Sequence, residues 1–142
     1  MKKPTLILLA LTILLFGACQ NSAKNDPSAI SAKSIAVHDE IMPQISTFDK
    51  HTVLIDSLLA NMAAVQNQDP TRDTLEVRDN LSELKAELEM ATDNMMTWMK
   101  DFEPDSAETA YQQAEFESIS QLKETFSSAA QNADRLLTPY KN

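Results

Sequence analysis

The side chains in this sequence that could do distinctive chemistry are two histidines, a run of methionines and one cysteine. His38 lies in the string Ala-Val-His-Asp-Glu-Ile-Met-Pro and His51 follows thirteen residues later. At helical pitch that separation points the two imidazoles to different faces, so they cannot chelate one metal together. His51 has no partner at helical spacing and is expected on the solvated face. His38 instead falls on an apolar stripe, where a histidine is either a hydrogen-bonded core residue or a ligand. Met95, Met96 and Met99 crowd around Trp98 in Met-Met-Thr-Trp-Met. Methionine fills irregular gaps in cores and packs well against aromatic rings. Its thioether is also a soft donor of the kind copper(I) prefers. Two readings of these residues therefore stand open, an adaptable core or a soft-metal (copper) or haem-handling cluster.

Catalytic arrangements are harder to find. Asp39 and Glu40 are neighbours on different helix faces, and the later acidic residues fall on polar sides of their segments. No serine, threonine or cysteine has a histidine and an acid at motif spacing. The one glycine is Gly17. Phosphate-cradling loops, dinucleotide fingerprints and nucleophile elbows all require glycine where backbone approaches a ligand or takes positive φ. The expectation is a non-enzymatic protein with no cofactor, copper being the alternative.

Cys19 calls for a different chemistry. The chain starts Met-Lys-Lys-Pro, continues as an apolar run from Leu6 to Phe16 and then reads Gly17-Ala18-Cys19. A basic start, a short apolar stretch and small residues before the cut describe a secretory signal. The run is too short to span a bilayer, which takes about 20 apolar residues. Phe-Gly-Ala-Cys resembles the lipobox cleaved by the lipoprotein signal peptidase, departing from it at Phe16, where leucine is usual. The resemblance implies that residues 1–18 are removed and that Cys19 receives a diacylglycerol and becomes the mature N-terminus. Acyl chains, at ~0.8 kcal/mol per buried methylene, then hold the protein on a membrane. Residues 19–29 read as the lipidated cysteine and a polar tether. Gln20 stands where an aspartate would resemble an inner-membrane retention signal, so the expected address is the cell envelope at the outer membrane.

The net charge is −9, and loss of Lys2 and Lys3 with the signal leaves ten basic against twenty-one acidic residues. So acidic a chain is repelled by phosphate backbones, and nucleic acid is not an expected partner. The expected partners are the membrane, through the lipid, and another envelope protein. A lone cysteine allows neither an internal disulfide nor a cysteine-based zinc site.

Residues 30–140 must position all of this. Of prolines 27, 43, 70, 104 and 139, all but Pro43 fall where an apolar pattern, its steps alternating three and four, starts or stops. One stripe runs through His38, Ile41, Ile45, Phe48, Thr52, Ile55, Leu59 and Met62. A second takes Val77, Leu81, Leu84, Leu88, Ala91, Met95, Trp98 and Phe102, and a third Ile119, Leu122, Phe126, Ala129, Ala133, Leu136 and Tyr140. This spacing marks one face of each of three helices, over about 28–66, 71–102 and 105–137. Asp73 with Glu76 and Asp105 with Glu108 offer capping boxes. Links of about four residues make consecutive helices antiparallel, so the predicted fold is all-α, an up-down-up three-helix bundle. Pro43 should kink or break the first helix, at about 3 kcal/mol for an interior proline. In this register His38 faces Met99, Met42 faces Met95 and Tyr111 lies beside Met96. A candidate cluster of His38, Met42, Met95, Met96, Trp98, Met99 and Tyr111 then gathers at the end where the tether begins.

The strings Ala-Val-His-Asp-Glu-Ile-Met-Pro and Met-Met-Thr-Trp-Met-Lys-Asp-Phe look like those of small helical lipoproteins of Bacteroidetes. Some of these carry the automatic label "viral A-type inclusion protein", which reflects coiled-coil similarity. The resemblance implies a helical lipoprotein and brings no activity, cofactor or functional residue with it.

Overall fold

A computed structural model describes residues 25–141; Cys19 and the expected signal, residues 1–18, lie outside them. Every regular element among the described residues is helical. α1 (Pro27–Ile41) starts where Asp26 accepts a hydrogen bond from the Ser28 amide at 3.1 Å and Pro27 occupies the first turn. A proline there loses only an N–H that has no helical partner anyway. Helix thus begins three residues before residue 30, the expected start of the bundle.

The break at Pro43 is a single 3-10 turn, Met42–Gln44, after which α2 (Ile45–Ala60) resumes. A second break was not foreseen. At Asn61 the backbone leaves helical geometry (φ −128°, ψ 49°) and α3 (Met62–Gln68) restarts, with the Asn61 carbonyl accepting from Ala64 and Val65. Asparagine offers the backbone alternatives to the helical ladder, so it is a place where a helix can be interrupted. The first rod is therefore three helices in series.

α4 (Thr74–Asp101) and α5 (Thr109–Leu137) are unbroken, at 28 and 29 residues. Asp73 caps α4 by accepting from the Leu75 amide at 2.8 Å. The expected box at Asp105 and Glu108 does not form: Glu108 is the cap residue of α5 without a side-chain bond, and the link is 102–108. Long side chains hold that link instead. Gln112 Nε2 donates to the carbonyls of Glu103 (2.9 Å), Pro104 (3.4 Å) and Ser106 (3.2 Å). The Tyr111 hydroxyl donates to the Asp101 carbonyl and accepts from the Glu103 amide. No described residue has a positive φ, those of the links included.

The three rods pack as an antiparallel bundle around Ile41, Phe48, Ile55, Leu81, Leu84, Leu88, Ala91, Met95, Ile119, Phe126, Ala129, Ala133 and Leu137. The predicted stripe of α4 is buried at six successive positions, Leu81 to Trp98, as three-four spacing requires. The stripe of α5 shifts by one residue at its end, to Leu137. Each interface has a polar tie: Lys85 to Asp56 between α4 and α2 (2.6 Å), Lys123 to Glu40 between α5 and α1 (2.7 Å), and Asn132 to Glu87 between α5 and α4 (3.0 Å). No helix among the described residues is long and apolar enough to cross a membrane.

Candidate functional site

The described chain begins at the end of the bundle that also carries the 102–108 link. Thr109 Oγ1 donates to the Asn25 carbonyl at 3.2 Å, and Ser31 Oγ donates to the Pro104 carbonyl at 2.9 Å. These bonds seat the start of α1 against the link and leave a cleft between α1 and the last turns of α4. It measures about 260 Å3 and is lined by Ile35, His38, Asp39, Trp98, Met99, Phe102 and Pro104.

Aromatic rings form its wall. His38 stacks on Trp98 with centroids 5.9 Å apart and planes 28° apart, and Trp98 stacks on Phe102 at 4.5 Å and 19°. The antiparallel register thus puts His38 opposite Trp98, one residue from the Met99 expected. His38 Nδ1 lies 3.0 Å from Asp39 Oδ1. A carboxylate can only accept, so Nδ1 carries a proton, and in that tautomer of the imidazole Nε2 is the atom with the lone pair. Nε2 is buried with no hydrogen-bond partner among the described residues, and so is Nε1 of Trp98, a residue 7% exposed. Buried polar atoms are nearly always paired. Two unpaired ones on neighbouring rings mark this end of the molecule.

The other candidates divide. Met99 lines the cleft and is 40% exposed, free to turn on its long side chain. Met95 is fully buried in the core and cannot reach the cleft's surface. Met42, on the 3-10 turn, packs half-buried against that core. Met96 is 54% exposed, because it lies two residues before the seam position of Trp98 and turns outward. Tyr111 does not lie beside Met96 as expected; its hydroxyl ties the end of α4 to the link. The expectation assumed a link of about four residues, and the seven of 102–108 set α5 further back. Phe102, Ile35 and Pro104 join the cleft without having been singled out. Phe102 was legible on the α4 stripe, whereas Ile35 and Pro104 depend on how the link folds.

His51 also departs from expectation. It is half-buried, its Nδ1 is unpartnered, and it sits near Asp134 and Lys141. Burial first, then the Lys141 charge, lowers its pKa below the ordinary value, with Asp134 opposing.

Another cleft, between α2 and α4, has Phe48 and Leu88 at its base and the polar Asp49, Thr52, Glu89, Thr92 and Asp93 around them. Among the described residues no three His, Cys, Asp or Glu side chains converge as metal ligands. Compared with family models, curated proteins and solved structures, the chain matches none.

Proposed function

We propose that this chain is a lipid-anchored protein of the cell envelope, held at the outer membrane through Cys19, that acts without catalysis by presenting the tether-side end of its bundle to another envelope protein. The observation that supports this reading is the seating of Asn25 on Thr109, which brings the chain out of the bundle beside the His38–Trp98 cleft. From Cys19 to Asn25 the chain spans at most about 20 Å at its fully extended reach. An anchor on Cys19 therefore keeps that end, and the apolar cleft on it, close to the membrane surface. The sequence supports the anchor through a lone cysteine placed right after a small-residue cleavage point.

Replacing Cys19 with alanine tests the anchor directly. In detergent phase separation of whole cells the parent should enter the detergent phase and Cys19→Ala the aqueous phase. Equal partitioning of the two would remove the anchor from the reading. A photo-crosslinking residue at Ile35, on the rim of the cleft, should capture an envelope protein in intact cells. The same residue at Met90, which is 62% exposed elsewhere on α4, should not capture it.

A further inference from the structure

The His38 imidazole is held like a ligand waiting for something soft. Its Nδ1–H is engaged by Asp39, its Nε2 is buried with no partner among the described residues, and the residue lines a cleft with largely apolar walls. A carboxylate behind an imidazole is the arrangement that fixes the tautomer and raises the donor strength of a metal-binding histidine. The second donor on the same cleft is the Met99 thioether. Half-exposed and with three rotatable bonds, it can turn to meet an ion without disturbing the core. The third feature is the Trp98 ring, which lies face to face with the imidazole. An aromatic face this close to the imidazole offers a cation the attraction of its ring quadrupole.

We propose that this cleft binds a single soft monovalent metal ion, of the copper(I) or silver(I) class, between His38 Nε2 and Met99 Sδ with Trp98 beside it. Imidazole plus thioether is a soft donor set. Harder ions need several oxygen or nitrogen ligands, and no three His, Cys, Asp or Glu side chains converge among the described residues. Charge points the same way. The desolvation penalty of an ion rises steeply with its charge, so an apolar cleft favours a monocation over a dication. One positive charge next to the Asp39 carboxylate also leaves the site neutral. Met95 and Met96 take no part, the first being sealed in the core and the second facing away.

Trp98 is the one tryptophan of the chain, so its emission reports on this cleft alone. Silver(I), which has no redox chemistry under these conditions, is titrated as the nitrate into the full-length protein in detergent and chloride-free buffer. The expected result is saturable quenching of Trp98 at one equivalent, with the apparent affinity reduced at least tenfold in both His38→Ala and Met99→Leu. Met96→Leu should titrate like the parent. Zinc(II) should leave the emission unchanged at the same concentrations. Circular dichroism of each variant checks the helical fold; should His38→Ala fail it, Met99→Leu on the exposed rim still decides. Absence of quenching, quenching that survives in Met99→Leu, an equal loss in Met96→Leu, or an equal response to zinc(II) would each overturn the proposal.

Discussion

Two aromatic stacks lie along the same bundle and are built differently. Phe48 and Phe126 meet in the middle, centroids 5.1 Å apart and planes 20° apart, both sealed from solvent and carrying no polar atom. His38, Trp98 and Phe102 stack with similar angles at the end where α1 begins, but there the wall of an open cleft holds two ring nitrogens with no partner among the described residues. Stacking geometry alone does not separate a core from a site. The difference lies in the polar atoms: a stack that only had to fill space would be more stable with leucine or phenylalanine in place of His38. A buried donor or acceptor left unmade costs roughly 1–3 kcal/mol, and the end stack carries two.

The comparison can be broken by mutation, and the largest effect belongs to the central stack. Phe126→Ala should lower the stability of the fold by about 3–5 kcal/mol in urea unfolding, through lost burial and the cavity left behind. His38→Leu, at the end stack, should leave it unchanged or raise it by up to about 1 kcal/mol, since it removes an unpaired acceptor along with the imidazole. Similar losses in the two variants would show that both stacks serve stability alone. An intermediate effect is expected where the cleft meets its link. Gln112→Leu strips three link carbonyls of their donor and should destabilise by about 1–3 kcal/mol, with faster hydrogen exchange confined to residues 102–108.

The smallest effect concerns His51, and its sign follows from burial. The fold holds this imidazole below its ordinary value of 6.5, so the unfolded chain binds the proton more tightly. The associated stability is complete above that value and is lost as pH falls from it through the folded value. Between roughly pH 7 and 5 the parent should therefore lose stability to acid more steeply than His51→Asn. Asp134 and Lys141 are unchanged in both proteins, so a shared slope would show that His51 is solvated after all.

How much of this could be read from the residues varies with the range of the contacts involved. The stripe of α4 was fully legible, because burial on one face of an uninterrupted helix is a local consequence of three-four spacing. The break at Pro43 was legible for the same reason, a missing amide being a property of the residue itself. Asn61 was not, since asparagine tolerates both helix and its interruption and the choice falls to packing. The box read at Asp105 and Glu108 lost to Gln112 and Tyr111, whose long side chains reach back over the link. Within the candidate cluster, His38, Trp98 and Met99 meet because they share a seam or its rim. Met96 was grouped with them by nearness in sequence, which a helix overrides within two residues. His51 was misjudged because the Thr138–Tyr140 turn returns Lys141 to the side of Asp134, a contact with no trace in local pattern.

The links of this bundle close without a single left-handed residue, although turns between helices commonly use one, usually a glycine. From residue 25 to 141 every position carries a Cβ. A chain of that kind explores fewer backbone states when unfolded, by an amount worth about 0.4–1 kcal/mol for each glycine replaced. Part of the stability of this protein thus comes from the narrowness of its denatured ensemble and is absent from any inventory of native contacts.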